Sequence, residues 1–120
     1  MKEDTTSVNT VWSYQVPFEV LIARRYPGAE MVIFDVHRLM TDIYNNPAAC
    51  SATYMPLNVT GFDQHCSASN CTTVGAVDSF MWFDELHPSE RTDQTIAREF
   101  IKVVEGNSTY TTYWISAKDD

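Results

Sequence analysis

The stretch FMWFDELHPSER, residues 80–91, places four bulky apolar residues directly before a loop that carries an acid and a histidine. An apolar run of this length, followed by polar residues, predicts a β-strand over residues 80–83. Pro88 disfavours helical backbone geometry at His87, and Ser89 is a residue type that caps helices. The stretch therefore predicts a buried strand, a short loop and the start of a helix.

The helix expected after Ser89 has apolar residues on one side at helical spacing: Ile96, Ala97, Phe100, Ile101 and Val104. Gly106 can supply the left-handed residue that ends such a helix.

Upstream, Val11 to Arg25 has a helical apolar pattern in which Pro17 fits only near a first turn or a kink. MVIF, residues 31–34, predicts a strand that is buried on both faces. Asp35 can cap a second helix, which Asn45-Asn46-Pro47 would end. The order helix, strand, helix, strand, helix predicts the α/β class, with a parallel sheet covered by helices on both faces.

Two strands cannot complete such a sheet. Residues 47–79 have no clear period and are predicted to form a loop longer than the about 12 to 15 residues usual in a compact domain. The tail, residues 107–120, has strand-like residue types but could equally be a packed end or a frayed terminus. We therefore expect residues 1–120 to be a single partial domain, the C-terminal portion of a larger three-layer α/β fold.

Composition excludes several classes of function. The formal net charge of −8 and the scattered lysines and arginines disfavour nucleic-acid binding, which needs clustered cations. No window approaches the roughly 18 apolar residues of a membrane span. The start, MKEDTTSVNT, lacks the apolar segment of a signal peptide.

Other features favour secretion. Asn58, Asn70 and Asn107 each begin an N-glycosylation acceptor triplet. Cys66 and Cys71 could close a small disulfide loop, with Cys50 left over unless it competes for one of them. We expect a secreted protein whose signal segment lies upstream of Met1.

Asp84 and His87 are the candidate catalytic residues. Ligands of doubly wound α/β sheets bind beyond the carboxyl ends of the strands, where both residues would lie. The Asp84 carboxylate could reach one ring nitrogen of His87, leaving the other to accept a proton from a hydroxyl nucleophile.

The string FMWFDELHPS, followed by an apolar helix with Ile96-Ala97, resembles the last sequence block of the GDSL lipase/esterase (SGNH hydrolase) family. YPGAEMVIFDVHRLMTDIYNNPAAC, residues 26–50, is similar to the part before this block in secreted fungal members, including carbohydrate acetyl esterases. The resemblance implies an α/β/α hydrolase fold and a Ser-His-Asp triad that needs no cofactor, with Asp84 and His87 as two of its members. An acetylated carbohydrate or other short-chain ester is the implied substrate, with a lipid as the second choice.

The chain departs from this family where the nucleophile should lie. It contains no Gly-Asp-Ser, no G-x-S-x-G and no G-x-N-D motif, so the serine and the oxyanion-binding groups have no counterpart. We therefore predict that this polypeptide alone has no appreciable esterase activity.

Other candidate sites have simpler explanations. Asp35 and His37 fit a capping aspartate beside a solvent-facing histidine, and Asp63 has no positional argument. His65, Cys66 and Cys71, with Cys50 as a possible fourth ligand, do not have the spacing of a zinc site, so we expect no metal. The aromatic residues of strand 80–83 could bind a sugar or an acyl group but are better explained as core. Tyr54, Met55 and Leu57 could form a lid.

Two alternatives to the hydrolase are a non-catalytic secreted module that binds a glycan or a protein, and a truncated product with no function of its own. The latter would expose an unpaired sheet edge.

Overall fold

The computed structural model describes residues 2–48, 57–67 and 70–117, which form two compact units. One unit is Met1–Phe34 with Thr111–Asp120, and the other is Asp35–Tyr110. The elements in chain order are α1 (Lys2–Pro17), a π-helical turn (Phe18–Ile22), β1 (Glu30–Phe34), α2 (Val36–Asn45), β2 (Asn58–Phe62), β3 (Gln64–Ser67), β4 (Asn70–Thr73), a 3-10 turn (Val77–Ser79), β5 (Phe80–Trp82), α3 (Glu90–Val104) and β6 (Thr111–Ile115).

The first unit combines a helix with a two-stranded antiparallel ladder. α1 begins well before Val11 and ends at Pro17, which has no amide hydrogen to donate to the Ser13 carbonyl, and a π-helical turn follows. β1 pairs antiparallel with β6, so the tail is a strand over residues 111–115.

The prediction that residues 31–34 form a parallel strand buried on both faces was wrong. Its neighbour β6 is antiparallel, and Val32 is 39% exposed. A two-stranded antiparallel ribbon can leave one face open to solvent, and a uniformly apolar sequence does not reveal this.

The second unit contains the parallel pair that the α/β class requires. β2 and β5 run parallel, with Asn58 opposite Phe80 and Phe62 opposite Trp82. Mixed helices and strands with a parallel pair confirm the α/β assignment.

Residues 47–79, expected as a loop, contain three short strands where the structure describes them. Their polar composition hides them from a search for apolar periods. β3 and β4 form an antiparallel hairpin in which Cys66 and Cys71 face each other and are joined by a disulfide. We call residues 64–73 the disulfide hairpin.

The predicted helix boundaries match local hydrogen bonds. The Asp35 carboxylate accepts from the Arg38 amide at the start of α2, and the Ser89 hydroxyl accepts from the Thr92 amide at the start of α3. Gly106, at φ +74°, follows the end of α3. No helix in the described part of the chain is long and apolar enough to cross a bilayer.

The apolar side predicted for α3 is largely open to solvent. Phe100, Ile101 and Val104 are 55, 56 and 75% exposed, whereas Thr92 and Val103 are buried. In this unit α3 packs against β5, and its buried residues are Thr92 and Val103 rather than those of the predicted apolar side.

Candidate active site

The loop between β5 and α3 is folded back on the end of its own strand. The Phe83 amide donates to the His87 carbonyl over 2.9 Å, and the Ser89 amide donates to the Met81 carbonyl over 2.9 Å. Pro88 forms a bridge with Trp82 between these two bonds. These main-chain bonds close the base of the loop, so Asp84 and His87 lie at its two ends with Glu85 and Leu86 between them.

Asp84 and His87 are in direct contact. Nδ1 of His87 lies 2.8 Å from Oδ2 and 3.0 Å from Oδ1 of Asp84. The Asp84 side chain is 28% exposed and the His87 side chain is 71% exposed. An ionised carboxylate can only accept a hydrogen bond, so this contact assigns the hydrogen of the neutral ring to Nδ1 and leaves the lone pair on Nε2.

Main-chain amides also bind the Asp84 carboxylate. Oδ1 accepts from the Leu86 amide over 2.8 Å and from the His87 amide over 2.7 Å. These bonds, with the Leu86 amide first and the His87 ring second, lower the pKa of Asp84 from 3.8 to about 2. Asp84 is therefore ionised at neutral pH and can stabilise a positively charged imidazole.

A buried hydroxyl pair supports the loop from the helix side. Ser89 and Thr92 are fully buried, and the Thr92 hydroxyl donates to the Met81 carbonyl over 2.8 Å. The Ser89 hydroxyl donates to the Thr92 hydroxyl over 3.2 Å. The first turn of α3 is thus hydrogen-bonded to β5, which fixes the position at which the loop ends and the helix begins.

The base of the disulfide hairpin lies against the other side of the loop. The Gln64 amide donates to the Phe83 carbonyl over 2.7 Å, and the Asp63 amide donates to the Trp82 carbonyl over 3.3 Å. Asp63 has no role that can be predicted from the sequence, because the pairing of β2 with β5 that brings it here joins short segments with polar neighbours.

A hydroxyl nucleophile for this pair would have to contact Nε2 of His87. Among residues 2–48, 57–67 and 70–117, no hydroxyl group hydrogen-bonds Nε2 of His87.

The other candidate residues lie elsewhere. Asp35 caps α2 and His37 is exposed. The His65 ring packs on Phe62 with centroids 4.2 Å apart, next to a disulfide-bonded Cys66. Among the described residues, no group of three potential metal ligands is present. Cys50, Tyr54 and Met55 lie outside the described residues.

Three aromatic residues near the loop are half-buried: Phe80, Trp82 and Phe83. Met81, in the same strand, and Leu57 are buried. The three acceptor asparagines Asn58, Asn70 and Asn107 are all exposed.

The chain is similar to an acetylesterase. It is 46% identical over 117 residues to the acetylesterase of Hypocrea jecorina, a match that covers 95% of this chain and 33% of that protein. The chain thus spans about a third of the length of the curated relative that it matches. No protein-family model matches the chain.

The similarity includes the candidate site. Because it covers 95% of the chain, the segment with Asp84 and His87, more than thirty positions from either end, lies within the matched part. The similarity supports an esterase relationship for this segment.

Proposed function

We propose that this chain provides the histidine and the aspartate of a Ser-His-Asp ester hydrolase of the SGNH type. The observation that carries the proposal is the contact between Nδ1 of His87 and the Asp84 carboxylate, on a loop fixed at the carboxyl end of a parallel strand. The similarity to an acetylesterase supports the ester as the bond that is cleaved.

The two residues divide the work of proton transfer. Asp84 holds the ring by Nδ1 and stabilises its protonated form, because the carboxylate is already ionised. Nε2 of His87 accepts the proton of a serine hydroxyl as that serine attacks the ester carbonyl. It then returns the proton to the leaving alcohol, and water resolves the acyl-enzyme by the same steps in reverse.

The serine and the oxyanion-binding groups belong to a part of the domain that these 120 residues do not contain. The exposed apolar side of α3, with Phe100, Ile101 and Val104, supports this arrangement. A surface of this kind is covered in a complete three-layer α/β domain. We propose that this chain corresponds to the C-terminal portion of such a domain and has no appreciable activity alone.

A short-chain ester, with acetylated carbohydrates first, is the proposed substrate class. Secretion is the proposed location. It is supported by the Cys66–Cys71 disulfide, a bond of oxidising compartments, and by the exposure of Asn58, Asn70 and Asn107.

A chimera tests the catalytic roles. This chain replaces the matched 117-residue segment of the Hypocrea jecorina acetylesterase, and acetate release from an aryl acetate is measured. We expect an active chimera that loses about 10²- to 10⁴-fold in kcat on His87→Ala, as expected when a general acid–base is removed. The matched control is His37→Ala, on the exposed surface of α2, which should retain full activity.

The isolated chain is assayed in parallel. Turnover of the aryl acetate by the purified chain, abolished by His87→Ala, would contradict the proposed absence of a nucleophile. An active chimera that is insensitive to His87→Ala would refute the catalytic role itself.

A further inference from the structure

We infer that Asp63 is a positioning residue for the Asp84–His87 pair. It acts through the Phe83 peptide and through residues 63–64 and 74–75, which we call the neck of the disulfide hairpin. The inference rests on the proposed function, since it concerns the geometry of the same site. Asp63 touches neither Asp84 nor His87 through its side chain in the described contacts, so its effect must pass through the backbone.

Asp63 is fully buried although most of the disulfide hairpin that follows it is exposed. Its relative accessibility is 0%, whereas His65 to Ser67 and Asn70 to Thr73 are all exposed. A buried carboxylate is unfavourable unless its oxygens find hydrogen-bond donors. Asp63 meets this requirement with one oxygen, Oδ1.

The hydrogen bonds of Asp63 close the neck of the hairpin. Oδ1 of Asp63 accepts from the Gly75 amide over 3.1 Å, and the Asp63 carbonyl accepts from the Val74 amide over 2.9 Å. One residue thus binds the two amides that follow the end of β4, and fixes the outgoing chain against the incoming one.

The neck in turn holds the peptide that precedes Asp84. The Phe83 carbonyl accepts from the Gln64 amide over 2.7 Å, while the Phe83 amide donates to the His87 carbonyl over 2.9 Å. Phe83 is therefore held on one side by the residue next to Asp63 and on the other side by the catalytic loop. A shift of the neck moves the loop through this peptide.

The second oxygen of Asp63 has no hydrogen-bond partner within the described part of the chain. An oxygen left in this state lowers stability, so the carboxylate is not explained as a device for stability alone. Only Oδ1 accepts the hydrogen bond from the Gly75 amide, which we call the Asp63–Gly75 clamp. An amide side chain at this position can therefore preserve the clamp.

The experiment uses the purified full chain and two NMR measurements. Long-range ¹⁵N spectra at pH 8 report which ring nitrogen of His87 carries the hydrogen, with the signals of the three histidines assigned by His87→Gln. The ¹³C titration of the Asp84 carboxyl reports its contacts with the loop amides and the ring. We expect Asp63→Ala to shift the Asp84 midpoint from about 2 toward 3.8 and to reduce the Nδ1–H form of His87.

Two matched variants separate positioning from general destabilisation. Asp63→Asn keeps an oxygen for the Gly75 amide and should retain both NMR signatures. Asp78→Ala removes an exposed carboxylate from the turn before β5 and should also leave them unchanged.

A second pair of variants breaks the clamp from its other side and covers the case in which Asp63→Ala does not fold. Gly75→Pro removes the donated amide hydrogen and should reproduce the shifted midpoint, whereas Gly75→Ala keeps that hydrogen and should not. An added Cβ at Gly75 meets only ordinary contact, 3.9 Å from the Phe80 ring.

Two results would overturn the inference. One is a folded Asp63→Ala or Gly75→Pro chain with lowered thermal stability but unchanged signals of Asp84 and His87, which indicates a purely structural role. The other is Asp63→Asn disturbing both signals as much as Asp63→Ala does. Neither outcome depends on the chimera assay, which tests the catalytic roles of the pair separately.

Discussion

The backbone amide of Phe83 donates a hydrogen bond to the carbonyl oxygen of His87, 2.9 Å away. This bond closes the loop independently of the Asp84 and His87 side chains. Main-chain geometry therefore contributes to the proximity of acid and imidazole, beside the bonds that the Asp84 carboxylate accepts from the Leu86 and His87 amides. Substitutions in the pair should change its electrostatics while leaving the loop in place.

Asp84→Asn should leave the loop folded and change the tautomer of His87. An asparagine oxygen can still accept from the Leu86 and His87 amides, which the carboxylate does over 2.8 and 2.7 Å. It lacks the charge that favours hydrogen on Nδ1, so the ring should populate the Nε2–H form more. Long-range ¹⁵N spectra at pH 8 measure the two forms. An unchanged tautomer ratio would show that the carboxylate does not orient the ring.

Asp84 should contribute to stability in acid with a defined sign. Its pKa is lowered from 3.8 to about 2, so its contribution is fully present above pH 4 and is lost as the pH falls toward 2. We expect the chain to resist urea better than Asp84→Asn at pH 6, with the difference closing between about pH 4 and pH 2. Urea midpoints at several pH values test this. A constant difference between the two proteins across that range would contradict it.

Local signals in the sequence predict the start and end of α3 beside the site. They do not predict which distant segments pair as strands. Ser89, Pro88 and Gly106 act through bonds to near neighbours, so the start and end of α3 could be predicted. The partner of β1 is a strand about 80 positions away, and no apolar period announces it. The parallel pairing of β2 with β5 likewise cannot be predicted from the sequence. It brings the chain at Asp63 beside Phe83, so only the structure reveals that contact.

Ser89→Ala should destabilise the second unit. The substitution removes the acceptor for the Thr92 amide and leaves a buried donor without its cap, at a cost of about 1 kcal/mol, up to about 2 kcal/mol. Urea unfolding measures the free energy of unfolding. Ser13→Ala is the control, because that hydroxyl only donates to the Thr10 carbonyl on the exposed α1. Equal unfolding free energies for the two variants would argue against a structural role of the cap.

Gly106→Ala should destabilise the end of α3 through backbone strain alone. Gly106 has φ +74°, and an added Cβ there meets nothing within 4 Å. The left-handed conformation with a side chain costs about 1 to 2 kcal/mol. Gly75→Ala serves as the comparison, since it adds the same methyl group where no such strain is expected. If both variants unfold at the same urea concentration, strain at Gly106 is not the explanation.

The exposed apolar side of α3 should be dispensable in the isolated chain and required in the chimera. Phe100 is 55% exposed, so Phe100→Glu should change the unfolding free energy of the chain by no more than about 0.5 kcal/mol. Val103 is 3% exposed, and Val103→Ala should cost about 1 to 3 kcal/mol in the same measurement.

In the chimera the consequences should differ, because the proposed domain covers the Phe100 side chain. A buried glutamate without a partner is strongly unfavourable, so Phe100→Glu should reduce soluble, active chimera far more than it affects the isolated chain. Phe100→Leu is the matched control, which keeps an apolar side chain and should retain activity. A Phe100→Glu chimera as soluble and as active as its parent would mean that this side of α3 remains in solvent, and that the remainder of the domain packs elsewhere.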